Sequence, residues 1–448
     1  MLSANLTRGV RQASKATTLK TRSATTASGS QKFKVLVVGG GSAGLSVAQQ
    51  IYNRFQAAGK SLAAGDIGIV DAAENHYYQI YCRTLVGAGL LPKTDFSRPL
   101  ASLIPEHISH IPENVKSFSP NSSTVTTTSG RDISYDALVV AAGLQTNFDA
   151  IKGLPAALEA PNSGVSTIYS YKTCDKVWTD IENLKLGKAV FTQPAGIIKC
   201  AGAPQKIMWM AWDRFRRTGR SDISVDFYTG MPTMFSVKKY SDALDALRQE
   251  RGVGGHFGHN LVSIDSGNRK ATFKKTEDGT EVKVDYSFLH VTPPMVPLDI
   301  FKGSPIADAA GWVPIDKATL QHVKPEFSNV FAIGDCSNLP TSKTAAAITA
   351  QAPVLTENLF SFVDTGKVAI AEYDGYTSCP LLTGYGELML AEFKYGLEPK
   401  ESFSDIFDQK KSNRFFYHLK KDVFPYAYWN YMVNGRWFGS KGLTRPEY

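Results

Sequence analysis

The sequence predicts an α/β chain with two Rossmann-like dinucleotide-binding domains and a C-terminal segment suited to a membrane surface. Three observations carry this reading. The short apolar run at residues 34–38 ends in Gly39-x-Gly41-x-x-Gly44, passes into a helical stretch at 45–55, and is followed by a second strand at 67–70 that ends in Asp71. A separate α/β pattern occupies roughly residues 163–327, with its first strand at 189–192. Beyond residue 410 the chain interleaves basic and aromatic residues. The expected divisions are a presequence at 1–30, a discontinuous nucleotide domain at 31–162 and 328–372, a second Rossmann-like domain at 163–327, and a C-terminal region at 373–448.

The first thirty residues stand apart by composition. Of the eight net positive charges on the 448-residue chain, five (Arg8, Arg11, Lys15, Lys20 and Arg22) fall there, with eleven Ser or Thr and no acid before Asp66. An Arg- and hydroxyl-rich, acid-free start is the composition of a mitochondrial presequence, and these residues are left out of the fold. The remainder carries too little excess charge for a nucleic-acid-binding domain. No run approaches the ~20 apolar residues of a membrane-spanning helix. The five cysteines, Cys82, Cys174, Cys200, Cys336 and Cys379, are odd in number and contain no C-x-x-C pair. That excludes a disulfide framework and a zinc site, so no metal is expected.

Each glycine of the first turn has its own task. Gly39 makes the tight turn, Gly41 lets the backbone approach a pyrophosphate, and Gly44 lets the helix pack close to the strand. The helix start at Ser42 and Ala43 offers free N–H groups to phosphates, and Asp71 can accept hydrogen bonds from a ribose. Two further apolar strands, residues 135–143 ending in Gly143 and residues 329–335 ending in Asp335, resemble the paired signatures of flavoproteins with two dinucleotide-binding domains. That resemblance implies FAD, with Asp335 toward its ribityl and phosphate part. A small-residue helix beginning near Lys343, Thr344, Ala345 and Ala346 would turn its N–H groups to the flavin carbonyls.

The second α/β unit departs from the nicotinamide pattern. After its first strand the chain reads Gln193-Pro194-Ala195-Gly196-Ile197-Ile198-Lys199-Cys200, without G-x-G-x-x-G. A pyrophosphate has no cradle there. A cysteine stands in the turn, which points to an electron donor that reacts with a thiol.

Four segments together identify the resemblance: Lys199-Cys200-Ala201-Gly202-Ala203-Pro204-Gln205-Lys206, Leu289-His290-Val291-Thr292-Pro293-Pro294-Met295, Gly334-Asp335-Cys336-Ser337-Asn338-Leu339-Pro340-Thr341-Ser342-Lys343-Thr344 and Tyr373-Asp374-Gly375-Tyr376-Thr377-Ser378-Cys379-Pro380-Leu381. They resemble mitochondrial-type sulfide:quinone oxidoreductases over residues 33–437. The resemblance implies a redox disulfide between Cys200 and Cys379, opened by hydrosulfide to a persulfide on one sulfur and a thiolate on the other. It puts the persulfide on Cys379 and the flavin-facing thiolate on Cys200, with the reverse assignment open. Sulfane sulfur would pass to a thiol, sulfite or similar acceptor, and electrons through FAD to ubiquinone. The implied FAD contacts are the backbone at Ser42 and Ala43, Asp71, Gln79, the backbone of Val115 near adenine, Asp335, and Lys343 to Ala346, with the Lys343 charge beside the flavin pyrimidine edge.

Of the other cysteines, Cys174 and Cys336 read as packed side chains, while a third-cysteine role for Cys82 stays open. His290 is a candidate acid or base, against a structural hydrogen-bonding role. Between residues 410 and 445, eight Lys or Arg and one acid, Asp422, accompany Phe415, Phe416, Tyr417, Phe424, Tyr426, Tyr428, Trp429, Tyr431, Trp437 and Phe438. That mixture suits a headgroup boundary, and the resemblance implies a monotopic anchor on the matrix face of the mitochondrial inner membrane. Pro425 is expected to break or begin a helix. Two rival readings remain: a type II NADH:quinone oxidoreductase on the same fold, and a flavin-binding scaffold or tolerance factor with vestigial chemistry.

Overall fold

In the computed structural model residues 31–60, 62–79 and 82–448 are described, together with all their side chains except those of Cys82 and Arg83. The presequence expected at 1–30 and the role left open for the Cys82 side chain lie outside this description. The α/β architecture is present, with a largely parallel sheet in each half.

The first sheet has seven strands. Gln31–Val38 lies at its centre between Ile67–Val70 and Asp132–Val140, parallel to both, with Val35 level with Ile67 and Ala137. Ile108–Ile111 adds outside Ile67–Val70, and Val330–Ala332 pairs parallel with Asp132–Val140 after a long excursion through the second unit. Val35, Leu36 and Val37 are inaccessible to solvent, as a parallel strand covered on both faces requires. One cover is the helix Ser42–Ala57, which packs on Ala345–Thr365.

The second sheet runs Val165–Ser166, Phe288–His290, Lys188–Gln193, Ser224–Thr229 and Gly254–Phe257, all parallel. The antiparallel strands His259–Asp265, Lys270–Lys275 and Glu281–Asp285 pack a smaller core with it. Ala203–Arg217 is the helix after Lys188–Gln193, and its outer side receives the hairpin Thr377–Gly384 and Glu387–Phe393. This hairpin brings residue 379 onto the turn containing residue 200.

The C-terminal residues form one helical run. Helical conformation continues from Arg414–His418 through Phe424–Ala427, with π turns at Leu419–Val423 and Tyr428–Met432. Pro425 stands in the first turn of Phe424–Ala427, so it begins that α segment without ending the longer run. The wider π turns beside it relieve the demand for an N–H to the fourth residue back, which proline cannot supply. Among the described residues no helix is long and apolar enough to cross a membrane.

Candidate active site at the Cys200 turn

A 320 Å³ cleft opens at the carboxyl ends of the first sheet. Its turn is held by backbone sterics. Gly39 has φ +106°, and a Cβ on Gly44 would stand 1.8 Å from the Gly39 carbonyl oxygen, so a side chain at 44 would force helix and strand apart. A Cβ on Gly41 would meet nothing within 4 Å, so the chain there faces open space. The following helix has no side-chain cap, which leaves its first N–H groups to the cleft. Asp71 lines the cleft and also braces the turn, accepting the Gly40 N–H at 2.6 Å and the Ala73 N–H at 2.8 Å.

Gly39, Gly41, Ser42, Ala43, Asp71, Gln79, Gly143, Asp335, Lys343, Thr344 and Ala345 all fall on this cleft. Three expected contacts are elsewhere. Gly44 sits behind the wall as a packing residue, Val115 is buried at the start of Val115–Ser119, and Ala346 lines the cavity on the far side of its helix. The Lys343 ammonium is also already engaged: it donates to the Ser337 carbonyl at 2.5 Å and lies 5.3 Å from the Trp312 ring centroid. The uncapped helix start, glycine cradle and strand-end carboxylate suit a dinucleotide.

Cys200 stands where this cleft meets a second, mostly apolar cavity of 340 Å³. Its backbone is left-handed, φ +56°, uncommon for a residue with a side chain and characteristic of functional turns. Two hydrogen bonds maintain it: the Cys200 N–H donates to the Lys343 carbonyl at 2.8 Å, and the Cys200 carbonyl accepts the Ala203 N–H at 2.8 Å. The Cys379 sulfur lies 3.9 Å from that of Cys200, and both residues are buried, at 0% and 8% exposure. Gly202 permits the approach, since a Cβ there would come within 2.2 Å of Leu381.

Two lysines, each only 1% exposed, share this interior. The Lys206 ammonium donates to the Cys200 sulfur at 3.1 Å. The Cys200 thiol is held well below the ordinary range, chiefly by the hydrogen bond from Cys379 and then by the charge of Lys206, against the cost of burial. Cys379 is driven well above it, by donating to Cys200 and by burial. Both shifts, with Lys206 against the Cys200 sulfur, favour the thiolate on Cys200 and the thiol on Cys379. Burial, with the like charge of Lys206 added, brings Lys420 down to about 7.

The remaining candidates separate by environment. Cys336 and Cys174 are buried with thiols pushed up to about 11, mainly by desolvation. His290 is fully buried, and burial lowers it to about 3. Its Nε2 accepts the Ile168 N–H at 3.2 Å, so it is a neutral core hydrogen-bond acceptor. Among the described residues no cluster of His, Cys, Asp or Glu could hold a metal.

Sequence reasoning missed four members of this neighbourhood. Lys206 sat inside a quoted motif without a role, although three residues into the helix after the Cys200 turn is a place that can face back to it. Lys420 was counted among the surface charges of the basic tail. Tyr428 reaches the nucleotide cleft, its hydroxyl lying 2.6 Å from Ser42 Oγ and 2.5 Å from His76 Nε2. His76 Nδ1 lies 3.1 Å from the Gly40 carbonyl, which can only accept, so Nδ1 carries the proton and Nε2 accepts from Tyr428.

Comparison with known proteins agrees with this geometry. Residues 33–189 match the pyridine nucleotide-disulphide oxidoreductase family. The mitochondrial sulfide:quinone oxidoreductase of Schizosaccharomyces pombe is 54% identical over 437 residues, covering 94% of each chain. That of Dictyostelium discoideum is 46% identical over 92% of this chain and 88% of its own. The solved sulfide:quinone oxidoreductase of Aquifex aeolicus, 18% identical, shares the fold with a TM-score of 0.71 over 91% of this chain and 92% of that one. Such relatives imply a flavin cofactor. The chain belongs to the mitochondrial sulfide:quinone oxidoreductase family.

Proposed function

We propose that this protein oxidises sulfide at a Cys200–Cys379 redox pair, passes the electrons through FAD to ubiquinone, and gives the sulfane sulfur to a small thiol, sulfite or similar acceptor. The observation that carries the reading is the contact of the two sulfurs at 3.9 Å, with Cys200 on the wall shared by the nucleotide cleft and the apolar cavity.

Hydrosulfide attacks the Cys379 sulfur of the disulfide. The S–S bond breaks, leaving a persulfide on Cys379 and a thiolate on Cys200. The downward shift of Cys200 and upward shift of Cys379 favour Cys200 as the leaving thiolate, and Lys206 stabilises its charge. The acceptor thiolate then takes the outer sulfur as its own persulfide. Re-forming the disulfide from Cys200 and Cys379 releases two electrons. FAD, when bound, supplies the two-electron carrier between that pair and the quinone. Gly39 to Ala43, Asp71, Asp335 and Thr344 would hold it, and the fit rests on the glycine cradle and the uncapped helix start.

The apolar cavity suits a quinone. Its wall includes Val423, Phe424, Ala427 and Met432 of the C-terminal helical run. Exposed Phe415, Val423, Tyr426 and Leu443, with exposed Arg414, Arg436 and Lys441, suit contact with an anionic lipid surface. In this reading the protein lies on the mitochondrial inner membrane, facing the matrix. A nicotinamide donor is disfavoured because the second unit has Cys200 in place of a glycine fingerprint.

Anaerobic mixing tests the function. Sulfide should bleach the flavin and NADH should not; the opposite pattern overturns the proposal. Cys200→Ser and Cys379→Ser should each abolish sulfide-dependent quinone reduction, and a normal rate in both would remove the cysteine mechanism.

A further inference from the structure

Among the described residues lining the apolar cavity there is one carboxylate, Glu392. It lies on Glu387–Phe393 and is 3% exposed. Its Oε2 accepts the Ser402 N–H at 2.8 Å and the Gln409 side-chain amide at 2.9 Å; its Oε1 accepts the Ser402 hydroxyl at 2.9 Å and the Tyr376 hydroxyl. Two of these partners differ in what they face. Both border the cavity, but Ser402 is also exposed, whereas Tyr376 is buried. Burial and the Glu392 charge hold the Tyr376 hydroxyl well above its ordinary range, so it keeps its proton.

The rest of the neighbourhood is polar on one side only. The Tyr240 hydroxyl receives the Glu392 backbone N–H at 3.2 Å and donates to Glu401 at 2.7 Å, and Glu401 pairs with Lys239 at 2.8 Å. Lys206 and Lys420 also line the cavity. A carboxylate buried this deeply is costly unless every lone pair is satisfied, as here. Anchoring the loop after the hairpin does not need an ionisable group. A proton line does.

Resting on the quinone-reducing function proposed above, we propose that Glu392 and Tyr376 form the line through which the quinone receives its proton from water. Conversion of a quinone to a quinol adds two electrons and two protons. With both electrons and one proton arriving from the reduced flavin, the second proton comes from solvent. Glu392 takes it at the exposed Ser402 end. The Glu392 O–H then breaks toward the Tyr376 oxygen as the Tyr376 O–H breaks toward the quinone oxygen. Quinol forms, Tyr376 keeps a proton, and Glu392 returns to the carboxylate. The Ser402 hydroxyl hands its proton to Glu392 Oε1 and takes one from water, the new carboxyl O–H turns to Tyr376, and the Tyr376 hydroxyl turns to the quinone.

The holoenzyme tests this by separate half-reactions, with a short-chain ubiquinone as oxidant. In Tyr376→Phe and Glu392→Gln, flavin reduction by sulfide should stay within about twofold of wild type, while reoxidation by quinone slows by about 100-fold, the scale of lost proton donation. Binding of a non-reducible quinone analogue should be little changed. Infrared difference spectra on binding that analogue should show a carboxyl band that Glu392→Gln lacks. If Glu392→Gln does not fold, Tyr376→Phe decides alone, because Glu392 keeps three donors in it. Wild-type reoxidation of Tyr376→Phe, or slowing only in step with lost analogue binding, overturns the proton line. A wild-type enzyme that sulfide does not reduce, or quinone does not reoxidise, would instead overturn the function on which it rests.

Discussion

The Lys206 ammonium stands 3.1 Å from the Cys200 sulfur, and no bulk water separates them because both side chains are buried. At that depth a charge pair is screened little, so each ion depends on the other. Burial pulls Lys206 down, yet the Cys200 and Cys379 sulfurs hold it above its ordinary value. Lys206→Met should therefore move the pH midpoint for alkylation of reduced Cys200 upward, with ~10-fold less thiolate for each unit by which the midpoint comes to exceed the working pH. Iodoacetamide labelling across pH, read by peptide mass, checks this. An unmoved midpoint would assign the thiolate to other causes.

The nucleotide cleft was legible because its signals are local. Gly39 and Gly44 are fixed by the sterics of a single turn, Gly41 leaves open space beside it, and Asp71 follows from the next strand. Cys200 was legible as a residue out of place in such a turn. Lys420 was not, because a lysine in a basic aromatic stretch looks the same whether it faces lipid or thiols. The same tail misled over Phe416, Tyr417, Tyr428 and Trp429, which are buried rather than presented to a headgroup layer. Composition records amphipathic residues without saying which side of a helix the protein keeps. The Tyr428–His76 contact joins positions 352 residues apart, and nothing along the chain announces it.

Lys420 makes stability depend on pH in a definite direction. Its native value of about 7 lies well below that of an unfolded lysine, so between those values the unfolded chain binds the extra proton. Unfolding free energy should rise as pH increases from about 7 toward 10, and the cost of the buried charge is full below that window. Lys420→Met removes this contribution. Denaturant titrations should show it more stable than wild type near pH 6.5, with the difference shrinking toward pH 9; equal pH profiles for the two proteins would contradict the assignment.

Tyr428 fastens the C-terminal helical run to the nucleotide turn. Besides bonding Ser42 and His76, its ring stacks on Tyr78 with centroids 3.6 Å apart. Tyr428→Phe keeps the stack and leaves His76 Nε2 without its donor, at a cost of about 1–3 kcal/mol for a buried polar group. Thermal unfolding should shift downward by that amount, and amide exchange should quicken first in residues 414–432. A loss spread evenly over the chain would show that the hydroxyl does not act as a local fastening.

In the proposed reading, membrane contact depends on the residues the tail leaves outside. Tyr426 is 61% exposed and Val423 is 46% exposed, and Val423 also lines the apolar cavity, so the lipid-facing edge and the quinone route meet at that residue. Burying such side chains at the interface favours binding by roughly 1.5–3 kcal/mol each, and a carboxylate there opposes both burial and the anionic surface. Val423→Glu with Tyr426→Glu should weaken sedimentation with cardiolipin-containing vesicles by about 100-fold or more in affinity. Reduction of the flavin by sulfide should remain, because neither residue lines the cleft of Gly39, Asp71 and Asp335. Reduction of a long-chain ubiquinone in the vesicles should fall with binding, and Tyr426→Glu alone, which lies outside the cavity wall, should still reduce a water-soluble short-chain quinone. Undiminished sedimentation of the double variant would place the membrane-binding surface elsewhere on the protein.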